Sequence, residues 1–227
     1  MSGEAESLRA FVRARVTTGA NLPGAALAGA NLSGLDLTGV NLRGANLSAA
    51  NLSKTDLTEA DLVGANLTRA NLAGAVLNKA DLTDANLTAA DLSLAQLQGA
   101  CLLNADLYWA NLVGASLVDA DLSQTNLSKS NLTLANMANA DLFWADLGGT
   151  NLTNANLVGS ILTVVNLSKA CLSGADLTGA TLAGADLSGA DLSDADLTAA
   201  DVKEANLAGA NLSGANLTRV DLSTAKR

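Results

Sequence analysis

No histidine occurs among the 227 residues. That removes the side chain best suited to proton transfer near neutral pH, and the commonest metal ligand. Only two cysteines are present, Cys101 and Cys171, so no Cys/His zinc spacing and no disulfide framework can be written. Aromatic residues make up 2% of the chain, too few for a base-stacking platform. Lys and Arg total 13 against 22 Asp and Glu, giving a net charge of −9 and a pI near 4.3. A basic groove for nucleic acid is therefore absent, and direct nucleic-acid binding is not expected. No apolar run reaches the length of a transmembrane helix, and no apolar stretch follows the first basic residues as in a secretory leader. The expected setting is cytoplasmic, without membrane association. No Gly-rich phosphate loop precedes a helix, and no acid/base pair breaks the pattern described next, so the chain reads as non-catalytic, with no cofactor and no metal.

That pattern is a period of five. Residues 41–67 read NLRGA NLSAA NLSKT DLTEA DLVGA NL, with Leu at 42, 47, 52, 57, 62 and 67. The phase holds from Leu22 to Leu222 without an insertion, and 39 of the 41 centres are Leu; Met137 and Val202 are the exceptions. A small residue, usually Ala, stands two before each centre, and Asn or Asp stands one before. Leu35 is the one large intruder at the small position. Of the 20 Gly, 17 fall two after a centre, which marks that position as a corner. The many Asn-Leu-Ser/Thr triplets match a glycosylation sequon, but they follow from the repeat and carry no further meaning.

A strict five fits neither regular element. On an α-helix five residues advance about 500°, so the leucines would wind around every face. On a flat strand an odd spacing throws successive leucines to opposite sides. A chain that turns after each pentad sends every Leu toward one axis. The small residue two before it shares that inward face, while Asn/Asp points out. Short paired parallel strands are expected, with the corner residue at positive φ wherever Gly stands.

The A-[DN]-L-x-x run resembles the pentapeptide repeat family over residues 20 to about 224. The resemblance implies an all-β fold, a right-handed quadrilateral parallel β-helix with four pentads per coil. Periodicity alone does not choose four over three. With 20 residues per coil, 41 pentads make about ten coils, stacked about 4.8 Å apart.

Residues 1–18 are off the beat. EAESLRAFVRARV suits a short helix with Leu8, Phe11, Val12 and Val16 on one face. Glu6 and Arg9 are spaced for an ion pair, and Thr17, Thr18 and Gly19 end the helix. A solenoid's open end needs a cover, so residues 1–19 are expected to form an N-terminal helical cap over a repeat domain at 20–227. At the other end the beat stops at STAKR without a cap. That end is expected to meet a second copy, giving a homodimer through the last coil.

Folding the numbering by 20 sets Asp61 over Asp81, Asp121 over Asp141, Asp36 over Asp56 and Asp176 over Asp196, with turn and backbone donors expected to satisfy the carboxylates. Cys101 and Cys171 fall on opposite faces, too far apart to bridge, as free thiols. Cys101, Leu103, Phe143, Trp144, Ile161 and Val164 gather on one face, with Tyr108 and Trp109 at the adjoining corner. Corner side chains point outward, so Leu103, Tyr108, Trp109, Phe143, Trp144, Ile161 and Val164 form a candidate interaction patch in mid-rod.

Two functional readings follow. The first is a non-catalytic scaffold or protein-binding rod whose partner is a protein. The second is an acidic mimic of duplex DNA that modulates or protects a type II topoisomerase such as DNA gyrase, as some members of the resembled family do. Those members carry many Phe centres and some carry contacting loops, whereas this chain has neither.

Overall fold

The computed structural model of the chain describes residues 8–14 and 21–227. From residue 21 onward one pentad conformation repeats, and residues 46–50 show it. Leu47 N donates to Asn66 O at 2.7 Å and Ala49 N to Thr68 O at 2.9 Å, both one coil ahead. Asn46 N donates back to Ala25 O at 2.9 Å, and Ala50 N closes the corner on Leu47 O at 3.0 Å. The fifth amide, Ser48 N, donates to the side-chain Oδ1 of Asn46 at 3.1 Å. The ladder thus satisfies four amides in each pentad, and the Asn/Asp side chain takes the one it leaves over. This is why Asn or Asp recurs one before each Leu.

Parallel bridges link residues at this position to those 20 positions later, without a gap from Ala26↔Asn46 to Asp196↔Asn216 and again at Asn206↔Lys226. Four pentads therefore make one coil with four faces. Short strands were expected, but among the described residues only single-residue bridges occur. Two of every five residues are spent in the turn, which leaves too little extended chain for a longer ladder.

Positive φ is not confined to glycine. Every residue two after a centre, from Gly24 to Arg219, is left-handed, and 23 of them are not Gly. Such a conformation costs an L-residue roughly 1–2 kcal/mol, and the ladder on both sides over-determines it. Even the β-branched Val164 sits at φ 58°.

The centres from Leu22 to Leu207 are buried and meet along the axis with the small residues between them. Burying each Leu contributes about 2 kcal/mol. The helix α1 (8–14) packs on the first coil. Val12 is fully buried, and Leu8 lies half-buried against the core. The Arg9 guanidinium donates to Asn31 O at 3.2 Å and Ser33 O at 2.9 Å, two edge carbonyls of that coil. Phe11, expected on the apolar face, is largely exposed. Glu6, Val16, Thr17, Thr18 and Gly19 lie outside the described residues. In the final coil Leu212, Leu217 and Leu222 are only half-buried.

Candidate interaction surface

The four faces can be named by the columns that the bridges define. Face I carries Asp61, Asp81, Cys101, Asp121, Asp141, Ile161 and Thr181. Face II carries Asp106, Asn126, Asp146 and Asn166; face III carries Asn111, Asn131, Asn151 and Cys171; face IV carries Ser116, Asn136, Asn156 and Asp176. Phe143 and Trp144 turn the corner from face I to face II, and Tyr108 and Trp109 turn the corner from face II to face III.

Six of the seven expected patch residues are exposed. Trp109 is 70% and Trp144 63% exposed, and Tyr108, Phe143, Ile161 and Val164 each lie above 40%. The rings of Phe143 and Trp144 stack with centroids 6.4 Å apart. Val164 stands one coil beyond Trp144 on the same corner, and Ile161 is bridged to Asp141 on the neighbouring face, so these four are contiguous. Leu103 departs from expectation. It is half-buried, as most residues one after a centre are, whereas the larger rings of Tyr108 and Phe143 at the same pentad position reach further into solvent.

Two exposed residues were missed. Leu94, at 70% exposure, and Leu134, at 61%, occupy the corner from face III to face IV two coils apart. Leu94 lies over Gly114, its Cδ2 2.9 Å from where a Cβ on that glycine would be. The same folding by 20 would have found them, since a Leu two after a centre is off the beat. With them the exposed apolar residues form a belt spanning residues 94–164.

Charge is also sorted by face. Six Asn side chains, on faces II, III and IV, donate Nδ2 to an Asp one coil earlier, at 2.7–3.3 Å. Face I has no such Asn between Asp61 and Asp201, so Asp61 stacks on Asp81 and Asp121 on Asp141. Those carboxylates accept corner amides, as Asp141 Oδ1 does from Phe143 N at 2.9 Å. The corner from face II to face III carries Arg69, Lys129 and Lys169 and no acid. Lys129 leans over Gly149, its Cδ and Cε 3.2 Å from the place of a Cβ there.

Both thiols are free and half-buried, on opposite faces, with Cys101 Sγ 3.2 Å from Thr83 Oγ1 and Cys171 Sγ 3.3 Å from Thr153 Oγ1. Among the described residues no group of three His, Cys, Asp or Glu is placed to hold a metal, and no helix is long and apolar enough to cross a membrane.

A four-sided parallel β-helix with an outward belt of aromatics defines a repeat solenoid. The chain belongs to the pentapeptide repeat family: the family described as "Pentapeptide repeats (8 copies)" matches in overlapping segments that run together from residue 18 to 226. Members of this family are right-handed quadrilateral β-helices, and solved structures similar to this chain have that fold. One is HetL from the cyanobacterium Nostoc sp. strain PCC 7120, a pentapeptide repeat protein involved in heterocyst differentiation regulation. It is 35% identical, with 93% of this chain and 94% of HetL covered and a TM-score of 0.60. Another is a trypsin-treated point variant of QnrB1, a plasmid-mediated fluoroquinolone resistance protein. It is 24% identical, with 84% and 90% covered and a TM-score of 0.55, which supports the shared fold alone. No curated protein sequence matches the chain.

Proposed function

We propose that this protein is a non-catalytic, cytoplasmic binding rod of about ten coils, with residues 1–19 as its N-terminal cap, that engages a protein partner through the mid-rod belt. The observation that carries the reading is the placement of Trp109 and Trp144. Both stand outward at well over half exposure at a corner position where Gly is the commonest residue, and Trp and Tyr are enriched where binding energy concentrates. Leu103, Tyr108, Phe143, Ile161 and Val164 complete the proposed site. The likeness to HetL, a protein with a role in regulation, fits a partner-binding rod.

The second reading is modulation of a type II topoisomerase by an acidic mimic of DNA. The stacked carboxylates of face I favour it. Leu at nearly every centre and an uninterrupted beat set the chain apart from the family members that act so. A gyrase supercoiling assay with and without a quinolone separates the two readings. No effect at about tens of micromolar, a concentration at which even weak specific complexes form, removes the second.

Affinity capture with the wild type and with Trp109→Asn/Trp144→Asn tests the first. Asn is chosen because Asn104, Asn139 and Asn154 hold the same left-handed corner. Loss of the captured protein with the double variant is expected, and equal recovery overturns the belt as the binding site. A second copy meeting the final coil, where Leu212, Leu217 and Leu222 are half-buried, is a separate proposed contact.

A further inference from the structure

We infer that the belt binds a second copy of this chain, side by side and parallel, about a two-fold axis that runs along face II. The inference rests on the reading of the belt as a protein-binding surface and names the partner.

Symmetry decides which surfaces of the two copies meet. Face II lies between two corners, one carrying Phe143–Trp144 and the other carrying Lys129 and Lys169. When two rods face each other through face II with the axis parallel to their length, the first corner of one meets the second corner of the other at the same height. A corner at residue n on the first side then meets n + 5 on the second. At 20 residues and about 4.8 Å per coil, that offset is only about 1 Å.

Each meeting is complementary. Phe143–Trp144 meets Gly148–Gly149, the one corner in the repeat where two glycines leave no side chain of their own. The side chain that covers Gly149 is Lys129, which brings an ammonium to the exposed face of the partner's Trp144, with Lys169 one coil beyond Gly149. A cation over an exposed indole is a favourable contact. Tyr108–Trp109 meets Leu103–Asn104, and the half-buried Leu103 thereby gains an apolar neighbour.

Charge agrees with shape. From Val63 to Gly184 the first corner holds no cation and one acid, Asp84, and behind it run the face I carboxylates Asp121 and Asp141. The second corner holds three cations and no acid. In the antiparallel alternative each corner would meet its own kind, and the cations of the second corner would face a corner that holds no acid. Along the axis Asp106 and Asp146 face their own copies. Both are half-buried and already bonded, to Asn126 Nδ2 at 3.0 Å and Asn166 Nδ2 at 2.7 Å. The contact is short, so a weak dimer is expected rather than an obligate one.

Cross-linking tests the register directly. In a chain with Cys101→Asp and Cys171→Asn, which restore the usual repeat residues, Asn126→Cys and Asn166→Cys are made separately and treated with a short bismaleimide. The parallel axis places both positions opposite themselves, so both variants should give cross-linked dimer. An antiparallel pair can satisfy only one, and an end-to-end pair satisfies neither; either pattern overturns the proposal. Sedimentation velocity up to about 200 µM, where weak self-association is visible, should show a dimer that Trp144→Asn and Lys129→Glu each weaken about tenfold or more. A monomer throughout with no cross-link rejects the second copy as partner and leaves the belt to the capture experiment. A dimer indifferent to both variants rejects the belt as the contact between copies.

Discussion

Thr150 lies one coil beyond Ser130 in the same inward column, and only Thr150 finds a partner. Its hydroxyl donates to Leu127 O at 3.1 Å, whereas Ser130 Oγ is buried and unbonded. The other inward hydroxyls are satisfied in the same manner, Thr55 on Leu32 O at 2.8 Å and Ser160 on Leu157 O at 2.8 Å. An unpaired buried hydroxyl costs about 1–3 kcal/mol. Ser130→Ala installs the usual repeat residue and is expected to raise stability by about 1 kcal/mol. Thr150→Ala gives up a formed hydrogen bond, so it should be neutral or destabilising. Urea unfolding of both variants checks this, and a loss of stability in Ser130→Ala would contradict the assignment.

Val164 is a β-branched residue held at φ 58°. Asn occupies the same conformation at Asn104, Asn139 and Asn154, where its short polar side chain tolerates left-handed backbone. Val164→Asn is expected to stabilise the rod by about 1 kcal/mol. A calorimetric midpoint unchanged or lowered would show that the side chain's cover over Gly184 outweighs the strain.

Leucine centres should not be equal. Leu127 is fully buried in mid-rod, whereas Leu217 in the last coil is half-exposed. Leu127→Ala leaves a cavity walled by the coils on either side and is expected to cost about 3 kcal/mol or more. Leu217→Ala removes a side chain that water already reaches, and about 1 kcal/mol is expected. Comparable losses at the two sites, measured by denaturant unfolding, would mean that the final coil is covered in solution.

Acid should weaken the rod below about pH 4, near the ordinary carboxylate range. The Thr38 hydroxyl and then its amide donate to Asp36 at 2.7 and 3.1 Å, holding that carboxyl below its ordinary value. The Thr198 hydroxyl and amide do the same for Asp196. The folded state thus binds fewer protons than the unfolded one. The stabilisation is fully present above the unfolded carboxylate value and disappears as pH falls through the lower folded value. Urea midpoints should be level from about pH 7 to 5 and drop toward pH 3. Asp36→Asn, which removes one such group, should show a shallower drop.

The period of five, read from the residues alone, determined most of this architecture. A side chain's direction within a pentad is a local matter, so inward Leu and Ala, outward Asn and Asp, and a corner after each centre follow from spacing. The outward aromatics at 108, 109, 143 and 144 followed for the same reason. The tertiary structure decided what spacing cannot reach. Neighbours 20 residues apart depend on how many pentads close a coil, and no pentad carries that number. The coil register places Asn126 where it bonds Asp106, leaves the face I carboxylates without such a donor, and sets Lys129 over Gly149. It also holds Trp144 and Val164 at positive φ, because hydrogen bonds from the coils on both sides, rather than the preference of the residue itself, fix the backbone there.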